Sequence, residues 1–215
     1  MQRRRVRHHI NPLQTSYMGV VPLQAAPLFA GAARPLEVEL GCADAEFLFQ
    51  RAALFPENQY VGIEIRRELV RRVNARAAQE GNLPIQAVFA HLHFDLPALF
   101  APESVARFFI NFPDPWFKKD QHKRRLVQPA WVQSLLSFLQ PGGDLFFQSD
   151  VFDLALDAMA VFEQNTQLDN CVSPWSFFKQ NPYGARSLRE IRVEEKGLPV
   201  WRMRYKKSAQ REPCP

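Results

Sequence analysis

The sequence predicts an α/β fold: a mostly parallel central sheet with helices on both faces and an antiparallel strand pair at its carboxyl-terminal end. Three observations carry this. Short apolar runs alternate with amphipathic helical stretches from Leu36 onward. The runs are nearly continuous in apolar residues, as in strands covered on both faces. The final segment, 189–207, changes rhythm and reads as two strands about a turn at Lys196-Gly197.

In chain order, "LEVELG" (36–41) is the first strand and "AEFLFQRAALF" (45–55) a helix. "QYVGIEI" (59–65) is the second strand. The helix "RRELVRRVNARAAQEG" (66–81) follows, with Gly81 as its stop. "IQAVFAHLHF" (85–94) and "VARFFINF" (105–112) are the third and fourth strands. "PAWVQSLLSFLQPGG" (129–143) is a helix closed by a Pro-Gly-Gly turn, "DLFFQSD" (144–150) the fifth strand, and "LALDAMAVFEQN" (154–165) another helix. The expected organisation is a basic arm over 1–35, one α/β domain over 36–207 and a flexible tail over 208–215.

The chain has 215 residues, 47% apolar and 23% charged, a globular mixture able to bury its own core. No apolar run approaches the roughly 20 residues of a membrane helix, so no membrane association is expected. The amino terminus is basic without an apolar stretch behind it, unlike a secretory signal. Cys42, Cys171 and Cys214 are scattered, which points to a reducing, cytoplasmic compartment without disulfides. Net charge is +5, concentrated in Arg3-Arg4-Arg5, in 66–76 and in 118–125. Such clusters attract polyphosphate. For 66–76 a plain solvated helix face is an equal reading, because Leu69, Val70, Val73 and Ala77 recur at helical spacing.

Ligands of open α/β sheets bind at the carboxyl ends of the strands. The first such end is "ELGCADAEF": Gly41 permits a tight turn, and Glu39 can accept a hydrogen bond from a bound amino group. Glu64 closes the second strand, where a carboxylate can hold the two hydroxyls of a ribose. Glu39 and Asp44 would repel a pyrophosphate and suit a cationic, phosphate-free nucleoside such as S-adenosylmethionine. An ordinary βα turn with a surface glutamate is the competing account. Cys42 reads as a small buried residue, not a nucleophile. His91 and His93 would share a strand face, but two ligands without a third make no metal site, and no metal is expected.

The block "NFPDPWFKKDQHKRRLVQP" (111–129) sets a carboxylate between two prolines, beside an indole expected to be exposed, and follows it with six basic residues. Pro113 and Pro115 restrict the backbone, and Trp116 offers a face for stacking. Together with "VRHHINP", "LEVELGCADAEFL", "YVGIEI", "LQPGGDLFFQSD" and "NPYGARSLREIRVEEKGLPVWR", in this order and spacing, it resembles the bacterial tRNA (guanine-N7)-methyltransferases over most of the chain.

That resemblance implies a Rossmann-like class I methyltransferase fold, S-adenosylmethionine as donor and a guanosine of the tRNA variable loop as acceptor. By position it implies that Glu39, Gly41, Glu64 and Asp114 bind the donor, with Asp114 also the catalytic carboxylate. His91 falls, by register, where an adenine contact is expected, and Asp95 is the alternative. Lys118, Asp150, Ser187 and Glu190 match substrate positions, with Ser187 and Glu190 closing over the pocket. Lys119, His122, Lys123, Arg124 and Arg125 then form, with Lys118, a track for the RNA backbone. The chain departs from the family at Ala43 and Ala45, where glycine is usual, at Ser187 for threonine, and at Asp120 for a basic residue.

Two other functions stay open at this point. One is a methyltransferase acting on another RNA or a free nucleotide. The other is an RNA-binding protein whose donor site has decayed, supported by Ala43 and Ala45. The partner expected is tRNA, with no obligate protein partner.

Overall fold

A computed structural model describes residues 34–208. The expected arm and tail lie outside these residues, apart from Arg34, Pro35 and Ser208. The elements are β1 (Leu36–Leu40), α1 (Glu46–Leu54), β2 (Gln59–Glu64), α2 (Arg67–Gln79), β3 (Ile85–Phe89), α3 (Leu96–Leu99) and β4 (Val105–Asn111). A 3-10 turn (Lys119–Arg124) leads to α4 (Pro129–Phe138), β5 (Leu139–Ser149), α5 (Phe152–Glu163), β6 (Leu168–Asn170), α6 (Leu188–Glu195) and β7 (Trp201–Lys207).

The strands form one seven-stranded sheet in the order β3-β2-β1-β4-β5-β7-β6. The first five are parallel, and β7 runs antiparallel to both β5 and β6. Successive strand residues point to opposite faces, so paired aromatics serve two cores. Phe108 and Phe147 join α4 and α5 on one face. Phe109 and Phe146 join α1 and α2 on the other. The strand order reverses at β1–β4, which opens a crevice at their carboxyl ends.

Three expectations change. The segment read as two strands is a helix followed by a strand: Ser187 caps α6, its hydroxyl accepting from the Glu190 N–H at 3.2 Å. Ser-x-x-Glu is a capping signature, and it overrides the apparent alternation of Ile191 and Val193. The antiparallel pair is β6–β7 instead. Strand β5 begins at Leu139 and runs through Pro141-Gly142-Gly143, with a register shift against β4 between Val105 and Arg107. His91 and His93 lie beyond the end of β3, in the turn that Asp95 closes by accepting from the His91 N–H at 2.6 Å.

The solvated-face reading describes most of α2. Arg72 pairs with Glu68, Arg76 pairs with Glu80 and Glu46, and Arg67 lies over the Phe89 ring. Among the described residues no helix is long and apolar enough to cross a membrane.

Candidate active site

The carboxyl ends of β1, β2, β3 and β4 surround a cleft of about 490 Å³, lined among others by Glu39, Gly41, Glu64, His91 and Asp114. The structure therefore gathers every expected donor residue around one space. The β1–α1 loop forms its floor. The Gly41 and Cys42 N–H groups donate to the Ile63 carbonyl at 2.8 and 3.0 Å, and the Ala43 N–H donates to Glu64 Oε2 at 3.0 Å. Ala43 and Ala45 hold left-handed backbone at φ 51° and 56°. An L-residue there costs roughly 1–2 kcal/mol, so the loop keeps a glycine conformation without the glycines. Cys42 is buried beneath it, and burial raises its thiol pKa, so it is no nucleophile.

Glu39 is buried at 3% exposure. Its Oε1 accepts from Asn111 Nδ2 at 2.8 Å, while its Oε2 is buried with no protein partner. Burial pushes the carboxyl up to about 8; the Asn111 bond opposes this, and Asp44 and Glu64 add to it. A buried carboxylate oxygen without a donor is costly unless a ligand supplies one.

Glu64 is held differently. Arg66 bonds it through the backbone N–H at 2.9 Å, Nε at 2.8 Å and Nη2 at 2.8 Å. At the end of β3, His91 lines the cleft, whereas the Asp95 carboxylate is spent on its own turn and does not. The His93 N–H donates to His91 Nδ1 at 3.2 Å, which leaves the proton of a neutral His91 on Nε2. His93 itself is pushed down to about 4 by burial and by His91. No group of three or more His, Cys, Asp or Glu gathers as a metal site among the described residues.

The 112–116 loop forms another wall. Phe112 and Trp116 both have positive φ, at 51° and 45°, and the loop carries Asp114 and Trp116 into the cleft. Such strain at bulky residues persists only where surrounding contacts enforce it. Here the Phe112 N–H donates to Gln148 O at 2.8 Å, and Arg125 Nε donates to Pro115 O at 2.9 Å. The Glu64 hydrogen bonds raise the Arg66 pKa against the effect of burial, and Asp114 adds to this electrostatically.

Several expected substrate residues stand elsewhere than expected. Trp116 is half-buried rather than exposed, and the Arg124 guanidinium lies 5.1 Å from its ring centre. Arg124 faces the cleft, with a buried Nε that has no partner. Arg125 is not on an outer track: it is buried, holding Pro115 and paired with Asp157, because the 3-10 turn folds it inward. Lys118, Lys119 and Lys123 are exposed and His122 is half-buried. Asp150 pairs with Arg189 at 2.7 Å.

Ser187 lines the cleft as the α6 cap, but Glu190 does not close over it. Glu190 is fully buried and accepts from Gln148 at 2.9 Å, Asn181 at 3.0 Å and Arg202 at 2.8 Å. Gln148 Nε2 also donates to Asn111 Oδ1 at 3.0 Å, so one chain of hydrogen bonds runs Glu39–Asn111–Gln148–Glu190–Arg202. Asn111 and Gln148 escape sequence reasoning. Their signal is a lone polar residue near the end of an otherwise apolar strand, in "FFIN" and "LFFQ".

The sheet order, the antiparallel β7 and the cleft at the switch point define a class I methyltransferase fold. Solved structures share it. The 16S rRNA methyltransferase KamB matches with a TM-score of 0.61 at 13% identity over 81% of this chain and 88% of that one. A mutant of the 16S rRNA (adenine(1408)-N(1))-methyltransferase from Catenulisporales acidiphilia, solved with cosubstrate SAM, matches with 0.56 at 17% identity over 91% and 95%.

A family model described as "Putative methyltransferase" matches residues 33–203. The tRNA (guanine-N(7)-)-methyltransferase of Synechococcus sp. (strain JA-3-3Ab) is 38% identical over 92% of this chain and 84% of its own length. Those of Synechococcus elongatus and Synechocystis sp. are 37% and 34% identical, each over 94% of this chain. The chain belongs to the tRNA (guanine-N(7)-)-methyltransferase family.

Proposed function

We infer that this protein transfers a methyl group from S-adenosylmethionine to N7 of a guanosine in tRNA, and that the guanosine lies in the variable loop. The observation that carries the reading is Glu39 Oε2, a buried carboxylate oxygen facing the cleft with no protein donor. It fits the amino group of a cationic donor and weighs against a decayed donor site. The left-handed alanines weigh the same way, since the loop keeps its conformation at a cost.

Bound S-adenosylmethionine supplies an electrophilic methyl group on a sulfonium. The chain's residues would do the rest by placement. Glu39 would anchor the amino group, Glu64 would take the ribose hydroxyls once Arg66 gives up its bonds to the carboxylate, Gly41 and Ala43 would provide the floor, and His91 would flank the base of the donor. Guanine N7 carries its own lone pair, so no residue must remove a proton before the transfer. Near-attack positioning of two reactants can lower a barrier by about 7–11 kcal/mol. Asp114 holds the guanine edge and offsets the positive charge left on the alkylated base. Arg124, lying over Trp116, and the α6 cap Ser187 stand at the guanosine, with Asp150 acting through its pair with the cleft residue Arg189. Lys118, Lys119 and Lys123, with His122 beside them, meet phosphates, an interaction that salt weakens. Glu190 acts from beneath, by holding α6 and Gln148. A tRNA substrate sets the place of work in the cytoplasm.

The test is transfer of labelled methyl to unmodified tRNA, followed by base-sensitive chain cleavage to map the product. Label at N7 of a variable-loop guanosine is the expected result. Label on another nucleotide, or none beside an active control enzyme, overturns the assignment.

A further inference from the structure

We propose that Phe117 is a stacking platform for a nucleobase flanking the guanosine held in the cleft. This rests on the RNA-substrate reading above and adds a contact to it. Trp116 is the obvious stacking residue of the sequence, but it is half-buried and Arg124 already lies over its ring. The next side chain takes the opposite course. Phe117 is 74% exposed, the most exposed of the large apolar side chains described.

The exposure is not that of a loose loop. The Phe112 N–H is tied to Gln148 O, Pro115 O is held by the buried Arg125, and the Gln121 N–H donates to Lys118 O at 2.8 Å. Positive φ at Trp116 turns the chain between the two aromatic residues, directing Trp116 to the cleft. A phenyl ring left in water forgoes the stabilisation that burial would give it. Its backbone is already held in place, so a flat apolar partner meets it with only the side chain left to order.

The surroundings select that partner. Lys118 and Lys119 follow directly and Lys123 lies one turn on, all exposed. A flat face bordered by phosphate-binding cations matches single-stranded nucleic acid, in which bases stack on aromatic rings while the backbone tracks positive charge. An apolar protein surface would find these lysines unfavourable to bury.

The full-length protein and two variants, Phe117→Ala and Phe117→Trp, test this by filter binding to unmodified tRNA across a salt series. Phe117→Ala is expected to bind tRNA about tenfold more weakly. Its salt slope should match the wild type, since no phosphate contact is lost. Its affinity for S-adenosylmethionine and its thermal midpoint should not fall, and Phe117→Trp should restore tRNA binding. Affinity of Phe117→Ala within twofold of wild type overturns the proposal, as does a changed salt slope or failure of tryptophan to restore binding. Methyl transfer by the wild-type protein is scored separately. If it fails, the catalytic reading falls, while the affinities still decide the stacking.

Discussion

Glu37 and Glu39 stand two residues apart on β1, on the same face of the sheet, with 0% and 3% exposure. The first is saturated. It accepts from Arg51 Nε at 2.9 Å and Nη2 at 2.7 Å, from Asn58 at 3.0 Å, and from Arg107. Arg107 and Arg204 then both bond Asp144, closing a charged cluster toward the amino end of the sheet. The second, at the carboxyl end, has one amide donor and one bare oxygen. Burial alone therefore does not separate these two carboxylates; what separates them is that one oxygen of Glu39 has no partner and lies at the cleft. The closed cluster ties β1 to α1, β4 and β5, whereas the open oxygen is the group that the proposed donor amine would meet.

The largest effect expected from breaking the comparison is on the closed side. Glu37→Ala leaves the buried Arg51 without its carboxylate, while Arg107 keeps Asp144, a loss of about 3–5 kcal/mol. At about 2–4 °C per kcal/mol for a domain of this size, the thermal midpoint should fall by about 6–20 °C. A midpoint within a few degrees of wild type would show that the cluster does not hold the sheet.

A second, pH-dependent effect belongs to the open side. The Glu39 carboxyl is raised by burial from its ordinary 4.5 to about 8, against the Asn111 bond and with help from Asp44 and Glu64. Between those pH values the folded, donor-free protein keeps a proton that the unfolded chain releases. This contribution is therefore complete below about pH 4.5, declines as pH rises, and is lost above about 8. Thermal midpoints measured from about pH 5 to 9 should show Glu39→Gln gaining on wild type with rising pH, then levelling. A constant difference would mean that Glu39 ionises normally.

The smallest effect concerns the loop between the two regions and the catalytic face. Ala43→Gly relieves a left-handed alanine costing roughly 1–2 kcal/mol, offset by about 0.5–1 kcal/mol of extra chain entropy. The net gain should be about 0.5–1 kcal/mol, read by denaturant unfolding. A loss of stability would show that the Ala43 methyl packs usefully.

Much of this was legible in the sequence. Nearly continuous apolar runs such as "YVGIEI" and "VARFFINF" mark β2 and β4, and the strand-end acids Glu39, Glu64 and Asp114 converge as their positions imply. What was not legible depends on partners distant in the chain. Glu37 and Glu39 are indistinguishable within "LEVEL", because Arg107 and Asn111 lie about seventy residues away. Arg125 looks like its basic neighbours until Pro115 and Asp157 claim it. Glu190 reads as a site residue until Arg202, Gln148 and Asn181 surround it. Helix α6 differs, since its capping signal, Ser187 and Glu190 three residues apart, is local and stands in the sequence itself.

Calorimetric titration of S-adenosylmethionine into wild-type and Glu39→Gln protein at about pH 8 tests the central claim most directly. Wild type should bind one equivalent, and the variant should bind at least about tenfold more weakly while its thermal midpoint stays level or rises. Equal affinities would contradict the account, because the bare oxygen would then not be the donor's anchor.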